Sequence, residues 1–389
     1  MLAVIQFQNS DNSLTESGTD LVFAHMAPQL KACRPISVPN ARPSKLSLTL
    51  ISYNILAQAL IKRELFPHSG NILKWKTRKA MVLKELKELN ADILCLQEVD
   101  HVEDFYGDAL HALGYSFEFC KHSTKLHGCM IAFKHSLFTK VNYDTVDYDT
   151  YPLCPPTQKT GNIAQLIALK AIDHDEGILV GNTHLYWRPQ SYYERLRQGC
   201  IYVKSASESL LSVKNLHSEI RWSYVLAGDL NTTPTDPTYP SLTDNPLTPI
   251  QEAWLEWSRR EIAEGEEMIE GGPDLTLPPL KPSNSDDTKL ATVDELRKIV
   301  GNHSGLKSVY SQYGKIDAED IQHYGEPKFT HYGTYFKGTL DYIFLPANGN
   351  LECRGLSPLP KEAEMEPGLP NAVFGSDHVP LCCQLHLLE

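Results

Sequence analysis

The chain lacks any run of 18 apolar residues, the length a helix needs to cross a bilayer. It also lacks a CxxC pair. Its nine cysteines are scattered, apart from the adjacent Cys382 and Cys383. That spacing argues against a disulfide framework or a thiolate zinc site, and leaves reduced thiols inside a cell as the simpler reading. A basic surplus is missing as well. With 36 Lys+Arg against 48 Asp+Glu, the formal net charge of −12 argues against a broad basic surface for non-specific nucleic-acid binding. It leaves room for a few cations gathered in one cleft, or for a recruited divalent cation. The opening "MLAVIQFQNSDNSLTESGTD" has no basic stretch and carries acids early, unlike a secretory signal or transit peptide. There is no GxSxG and no Cys near a candidate base, so nothing points to a covalent intermediate.

What is present suits a globular protein with a substantial core: 389 residues, 42% apolar and 22% charged. Residues 1–44 are polar and proline-marked and are expected to form a flexible tail. One domain is expected over 45–389. Within it, "LTLISYNI" reads as a strand that stops at Asn54, and "WKTRKAMVLKELKELN" (75–90) as an amphipathic helix. "ADILCLQEVD" reads as an apolar strand ending in Gln97–Glu98. Strand pairs are expected over 114–120 with 128–134, and over 162–172 with 177–187. A long helix (192–215), the strand "SYVLAGDLN" and two closing strands (338–345, 379–388) follow. The stretch 251–300 breaks the rhythm with twelve Asp+Glu, six Lys+Arg and a Pro-rich middle, so an acidic surface insertion of helix, loop and short helix is expected there. Paired strands with helices between the pairs favour two mixed sheets in an α/β sandwich over one parallel sheet.

Strand after strand ends in polar residues of one kind. Asn54 and Glu98 end two runs. Asn182 and His184 lie two apart, as do Asp229 and Asn231, and so share a face. Asp341 begins a strand, and Asp377–His378 precede the last. Each has a mundane reading alone, as a turn residue, an Asx cap or a solvated acid. Six such endings together are costly to bury without partners. Facing sheets would bring them to one place. The carboxylates Glu98, Asp229, Asp341 and Asp377 are hard oxygen donors without a Cys or multi-His cluster, so Mg²⁺, or Mn²⁺, is the cation they suit. Asn54 can hold ligands without adding charge, and Asn231 can donate to a phosphoryl oxygen. His184 and His378 can carry positive charge as negative charge grows on phosphorus. That equipment fits metal-assisted hydrolysis of a phosphate ester by water.

Six ordered motifs then carry a family likeness: "SYNIL", "DILCLQEV", "NTHLYW", "AGDLNTTP", "FKGTLDYIF" and "GSDHVPL". The chain resembles the endonuclease/exonuclease/phosphatase superfamily over roughly 46–389. "HGCMIAFK" and "GDLNTTPTDPTY" resemble its deadenylase-like branch, which includes nocturnin, Angel proteins, the 2′,5′-phosphodiesterase and fungal Ngl-type RNA exonucleases. His127 departs from the Asp usual in "DGC" there. The resemblance implies a four-layer α-β-β-α, DNase I-like sandwich. It implies a Mg²⁺-dependent 3′→5′ exoribonuclease acting on single-stranded RNA 3′ ends, intracellular, in the cytoplasm or nucleus, and without a membrane; the sequence leaves the oligomeric state open, a monomer included. The alternative is a phosphatase or phosphodiesterase of a small molecule such as a dinucleotide phosphate or 2′,5′-oligoadenylate. Carried over by position, Glu98 binds the metal with Asn54 close by, and Asp377 supports its shell. Asp229 orients or deprotonates the water, Asn231 and His184 hold the phosphate, and Asp341 pairs with His378, which stabilises the transition state. A single strand also needs stacking rings and cations. Tyr186, Phe329, Lys125, Arg188 and Lys337 lie near these motifs and are the expected contacts, whereas Arg195 and Arg197 are expected to be solvated.

Overall fold

The structure is a computed structural model that describes residues 32–39, 41–262, 281–282, 289–301 and 305–389. Period-two alternation builds its core. In strand Ser44–Asn54, Leu50 faces one way and Ile51 the other; in Ile93–Val99, Ile93 and Cys95 oppose Leu94 and Leu96. Strand Arg221–Asp229 repeats the pattern, with Val225 and Ala227 on one face and Leu226 on the other. Residues such as Leu50, Ile93, Ile131, Val180, Val225 and Ile343 meet between two sheets, so both sheets are apolar on two faces and each needs a helical cover.

The first sheet has seven strands in the order Arg34–Pro35, Leu351–Leu356, Leu381–Leu388, Ser44–Asn54, Ile93–Val99, Gly128–Lys134, Tyr115–Cys120. The second has six: Leu306–Ser308, Asp341–Pro346, Arg221–Asp229, Glu176–His184, Ile163–Ala171, Phe138–Asp147. Each sheet contains one parallel pair, Ser44–Asn54 with Ile93–Val99 and Glu176–His184 with Arg221–Asp229; the other pairs are antiparallel. A parallel pair needs a crossover. The first is made through helix Trp75–Leu89, which buries Val82 and Leu86 on one sheet. The second is made through helix Tyr192–Leu216, which buries Leu196, Cys200 and Val203 on the other. The result is the four-layer α-β-β-α sandwich that the sequence led us to expect. Among the described residues, no helix is long and apolar enough to cross a membrane.

Two expectations meet the structure at the edges. The described part of the N-terminal tail packs on the domain: Arg34–Pro35 pair with Leu356 and Gly355, and Ile36 is buried between the sheets. Leu356 leads an otherwise open sheet edge, and an extended proline-marked segment can cover it. Residues 1–31 lie outside the described residues. In the acidic segment, helices Pro249–Arg260 and Val293–Val300 contribute Leu255 and Leu296 to the core outside the second sheet. Most of the Pro-rich loop between them lies outside the described residues.

Candidate active site

The parallel pairs decide where the site falls. Parallel neighbours end side by side, and the register places Asn54 opposite Gln97 in one sheet and His184 opposite Asp229 in the other. Immediately past these ends the backbone leaves extended geometry. Glu98 has φ 53° and Asn231 has φ 48°, a left-handed conformation that is uncommon for non-glycine residues and that re-aims the side chain. Asp341 is brought in by its antiparallel partner, lying directly opposite Asp229. His378 is tied by a single β-bridge to His331.

The side chains then form one connected network. Asn54 Nδ2 donates to Glu98 Oε1 and to Asp229 Oδ2, both at 2.9 Å, so one buried amide links the two sheets. Its Oδ1 accepts from the Leu56 amide at 3.0 Å. Glu98 Oε2 accepts from the Ala57 amide at 3.1 Å. Asp229 Oδ1 accepts from the Asn231 amide at 2.9 Å. Asn231 Nδ2 lies 2.8 Å from His184 Nε2 and donates to the Leu185 carbonyl at 2.9 Å. Asp341 Oδ2 accepts from Thr330 Oγ1 at 2.6 Å and from His378 Nδ1 at 2.8 Å, while its buried Oδ1 has no protein partner. His184 Nε2 and His378 Nε2 each stand 3.6 Å from Asp229 Oδ2.

Burial sets the charges. It pushes the Asp229 carboxyl up to about 7, helped by the neighbouring Asp341. Burial disfavours a charged His378, but Asp341 and Asp229 outweigh it and raise its imidazole well above the usual histidine range. Asp377 moves the other way: burial opposes its ionisation, yet His331 and His378 hold it at about 2.

Glu98, His184, Asp229, Asn231, Asp377 and His378 face one cavity of about 280 Å³. Its floor is polar. Its walls carry Phe66, Trp187, Pro189, Tyr192, Tyr335 and Phe336. Ligand atoms of Asp229, Asp341 and His378 lie within 4.8 Å of one another, and so do those of His331, Asp377 and His378. Glu98 and Asp377 offer carboxylate oxygens, and no described thiol joins either cluster; Asn54, expected beside the metal, instead turns its Nδ2 to Glu98 and Asp229 while its Oδ1 is taken by the Leu56 amide, so it orients the carboxylates rather than ligating. That chemistry fits a hard divalent cation.

The five side chains expected to hold RNA are placed elsewhere. Lys125 lies half-buried in the hairpin loop between Tyr115–Cys120 and Gly128–Lys134, outside the cavity lining. Tyr186 follows a strand that ends at His184, so alternation no longer governs it; its hydroxyl accepts from Gln158 at 3.1 Å and its amide donates to Gln198 at 2.9 Å. Arg188 is 1% exposed. Phe329 packs on the core between the sheets, its ring 5.1 Å from Tyr332. Lys337 is held by Glu366 at 3.0 Å and by the Tyr332 hydroxyl at 2.6 Å. Arg195 and Arg197 are buried, not solvated. Loops fold over the first turns of the long helix, and their carbonyls need donors. Arg197 donates to the carbonyls of Cys154 and Tyr148, both at 2.9 Å, and pairs with Glu194. Arg195 donates to the carbonyls of Arg188 and Pro189. Asn182 shares the face of His184 but lies one step deeper, where it donates to the carbonyls of Leu96 and Met130 between the sheets.

Sequence reasoning missed His331. It lines the cavity, its Nε2 is 3.4 Å from Asp377 Oδ2, and its ring stands edge-on to His378 at 4.7 Å. The signal was its place two residues after Phe329 in "FTHYGTYFKG", a stretch read for its aromatics alone.

A double sheet whose facing strand ends enclose this acid, amide and imidazole set defines the DNase I-like class of hydrolases. The chain belongs to the Endonuclease/Exonuclease/phosphatase family, whose model matches residues 51–378. It is 32% identical to the Schizosaccharomyces pombe protein named Probable RNA exonuclease C9B6.11c over 97% of this chain and 82% of that protein. It is 30% identical to RNA exonuclease NGL2 of Saccharomyces cerevisiae over 87% of this chain and 78% of that protein. Among solved structures it is similar to ANGEL2, described as a 2′,3′-cyclic phosphatase and seen with adenosine-2′,3′-vanadate. That likeness has a TM-score of 0.65 at 25% identity and covers 90% of this chain and 99% of that one.

Proposed function

We propose that the chain is an intracellular, divalent-metal-dependent exoribonuclease that removes nucleotides from RNA 3′ ends. The observation that carries this reading is the Asn54 amide joining Glu98 to Asp229, which brings Glu98, Asp377 and His378 beside the first sheet's strands and His184, Asp229 and Asn231 at the second's strand ends to one cavity floor. The similarity to RNA exonucleases of two yeasts supports RNA as the substrate.

Glu98 would hold the cation, with Asn54 fixing its carboxylate and Asp377 completing the acidic rim. Bound there, Mg²⁺ or Mn²⁺ would neutralise charge on the phosphate as it grows. Asp229 sits near neutrality, as a group must that orients a water and takes its proton. Asn231 and His184, 2.8 Å apart, would give up their contact with each other and donate to the scissile phosphate instead. His378 is kept protonated by Asp341 and stabilises the oxygens as they become more negative.

A second reading has its own support. ANGEL2 is described as a phosphatase of 2′,3′-cyclic ends, and a cavity of about 280 Å³ is small enough to be filled by one nucleotide. RNA labelled at its 5′ end, incubated with Mg²⁺ and in excess chelator, separates the two. The exonuclease reading expects a ladder shortening from the 3′ end that stops when the metal is removed. Intact RNA, with phosphate released from a cyclic or small ester, would replace it with the phosphatase reading.

A further inference from the structure

The cavity floor accounts for hydrolysis but not for what is held above it. One wall is built by Trp187, Pro189 and Tyr192 at the entry to the long helix, and by Thr233 and Asp236 in the loop after Asn231. Behind this wall stands helix Pro249–Arg260, the first helix of the acidic segment. It touches both halves of the wall. Trp254 stacks on Tyr192 with ring centres 5.2 Å apart and planes 14° apart. Ser258 Oγ accepts from the Tyr193 amide at 2.9 Å, satisfying one of the N–H groups that a helix start leaves without an internal partner. Gln251 Nε2 donates to the Thr235 carbonyl at 2.7 Å, pinning the loop that carries Thr233 and Asp236. From inside, the Arg195 guanidinium lies 5.3 Å from the Tyr192 ring centre while it donates to the carbonyls of Arg188 and Pro189.

We infer that Tyr192 is the cavity's contact for a nucleobase, and that Trp254 is a positioning residue through which the acidic segment sets where that base is held. The inference rests on the RNA-hydrolase reading for its substrate class. Its physical basis is separate. Held between Trp254 and the Arg195 guanidinium, the Tyr192 ring offers the cavity its edge and loses little freedom when the π-face of a base, the same whatever the sequence, settles edge-to-face against it. Among the described residues this wall's lining carries no cation, and its Asp236 is already paired with Arg195 Nη2 at 3.9 Å, so a neutral base rather than a phosphate is the part of a nucleotide that fits there. By sequence the segment reads as an acidic surface insertion. In the fold, its first helix is a rear support of the substrate wall.

The test compares two ligands that differ only in the base. Calorimetry on the full chain in Mg²⁺ buffer measures the affinity of AMP and of ribose 5-phosphate for the wild type, Trp254→Ala and Trp254→Phe. The wild type is expected to prefer AMP by about tenfold, the scale of one edge-to-face ring contact. Trp254→Ala should shrink that preference below about threefold, and Trp254→Phe should restore most of it. Ribose 5-phosphate should bind all three alike. An unchanged AMP preference in Trp254→Ala, or an equal loss of both ligands, overturns the inference. Because binding is read without turnover, a wild type that retains the base preference but leaves RNA intact would sink the exonuclease reading and keep the base contact.

Discussion

Two strand–helix–strand units face each other in this molecule, and they are built alike but equipped differently. Ser44–Val99 and Glu176–Asp229 each contain a parallel pair joined through one helix, and each delivers polar groups at the ends of that pair. Each also uses buried arginine from its helix to hold the loops at those ends. Arg78 donates to the carbonyls of Ile55, Leu56 and Gly375, just before Asp377 and His378. Arg195 does the same for Arg188 and Pro189. The first unit ends in a carboxylate that suits a cation and an amide whose N–H groups hold that carboxylate and Asp229 in place. The second ends in His184, Asp229 and Asn231, which suit a phosphate and a water. A shared scaffold therefore fixes where functional groups appear, and the last side chain of each strand decides what they do. The Asn54–Asp229 hydrogen bond is where the two kinds of equipment meet.

The largest expected effect breaks the first unit. Glu98→Ala should lower RNA turnover by at least about 10³-fold, the scale of losing metal-based charge stabilisation. Mg²⁺ titration of this variant should show weakened binding while its melting temperature stays close to wild type, because the residue sits at a strand end facing a cavity. Full activity in the variant, or in excess chelator, would remove the cation from the proposal. Breaking the second unit should look different. Asn231→Ala is expected to cost on the order of 10²–10³ in kcat, as for one lost transition-state donor. Its Mg²⁺ affinity should match wild type. If both variants lose Mg²⁺ affinity equally, the proposed division between the units is wrong; a loss below about tenfold takes Asn231 out of the chemistry.

The sequence exposed this floor far better than the walls, for a physical reason. A polar residue at the end of an apolar run is conspicuous because burial demands a partner, and Asn54, Glu98, Asp229 and Asp341 all stand out that way. Period two also misleads near a strand end. It correctly put Asn182 and His184 on one face, but only the last residue clears the partner sheet. The wall residues carry no such mark. Tyr192 reads as the first residue of a helix, and Trp254 as one apolar position in an amphipathic helix. Their roles arise from two residues 62 positions apart in the chain, on separate helices, meeting at a ring contact. Phe329, chosen for nearness to a motif, packs between the sheets, and the crowded loops draw on Arg195 and Arg197, read as solvated, for donors of their own.

Lys337 sharpens the contrast from the side of no effect. It lies in "FKGTLDYIF", four residues before Asp341, and by sequence belongs with the chemistry. Its ammonium instead rests 4.1 Å from the centre of the Tyr332 ring and is tied to Glu366, outside the cavity lining. Glu366 is correspondingly easier to ionise, its carboxyl lowered first by the Tyr332 hydroxyl and then by Lys337. A solvent-facing pair of this kind contributes little to stability. Lys337→Ala should therefore change KM and kcat for RNA by less than about threefold, and should leave the salt dependence of KM unaltered. A tenfold rise in KM at low salt that shrinks as salt is added, with a shallower salt dependence than wild type, would show that Lys337 leaves Glu366 for a phosphate when RNA binds, and that the substrate path runs past the two units on this side.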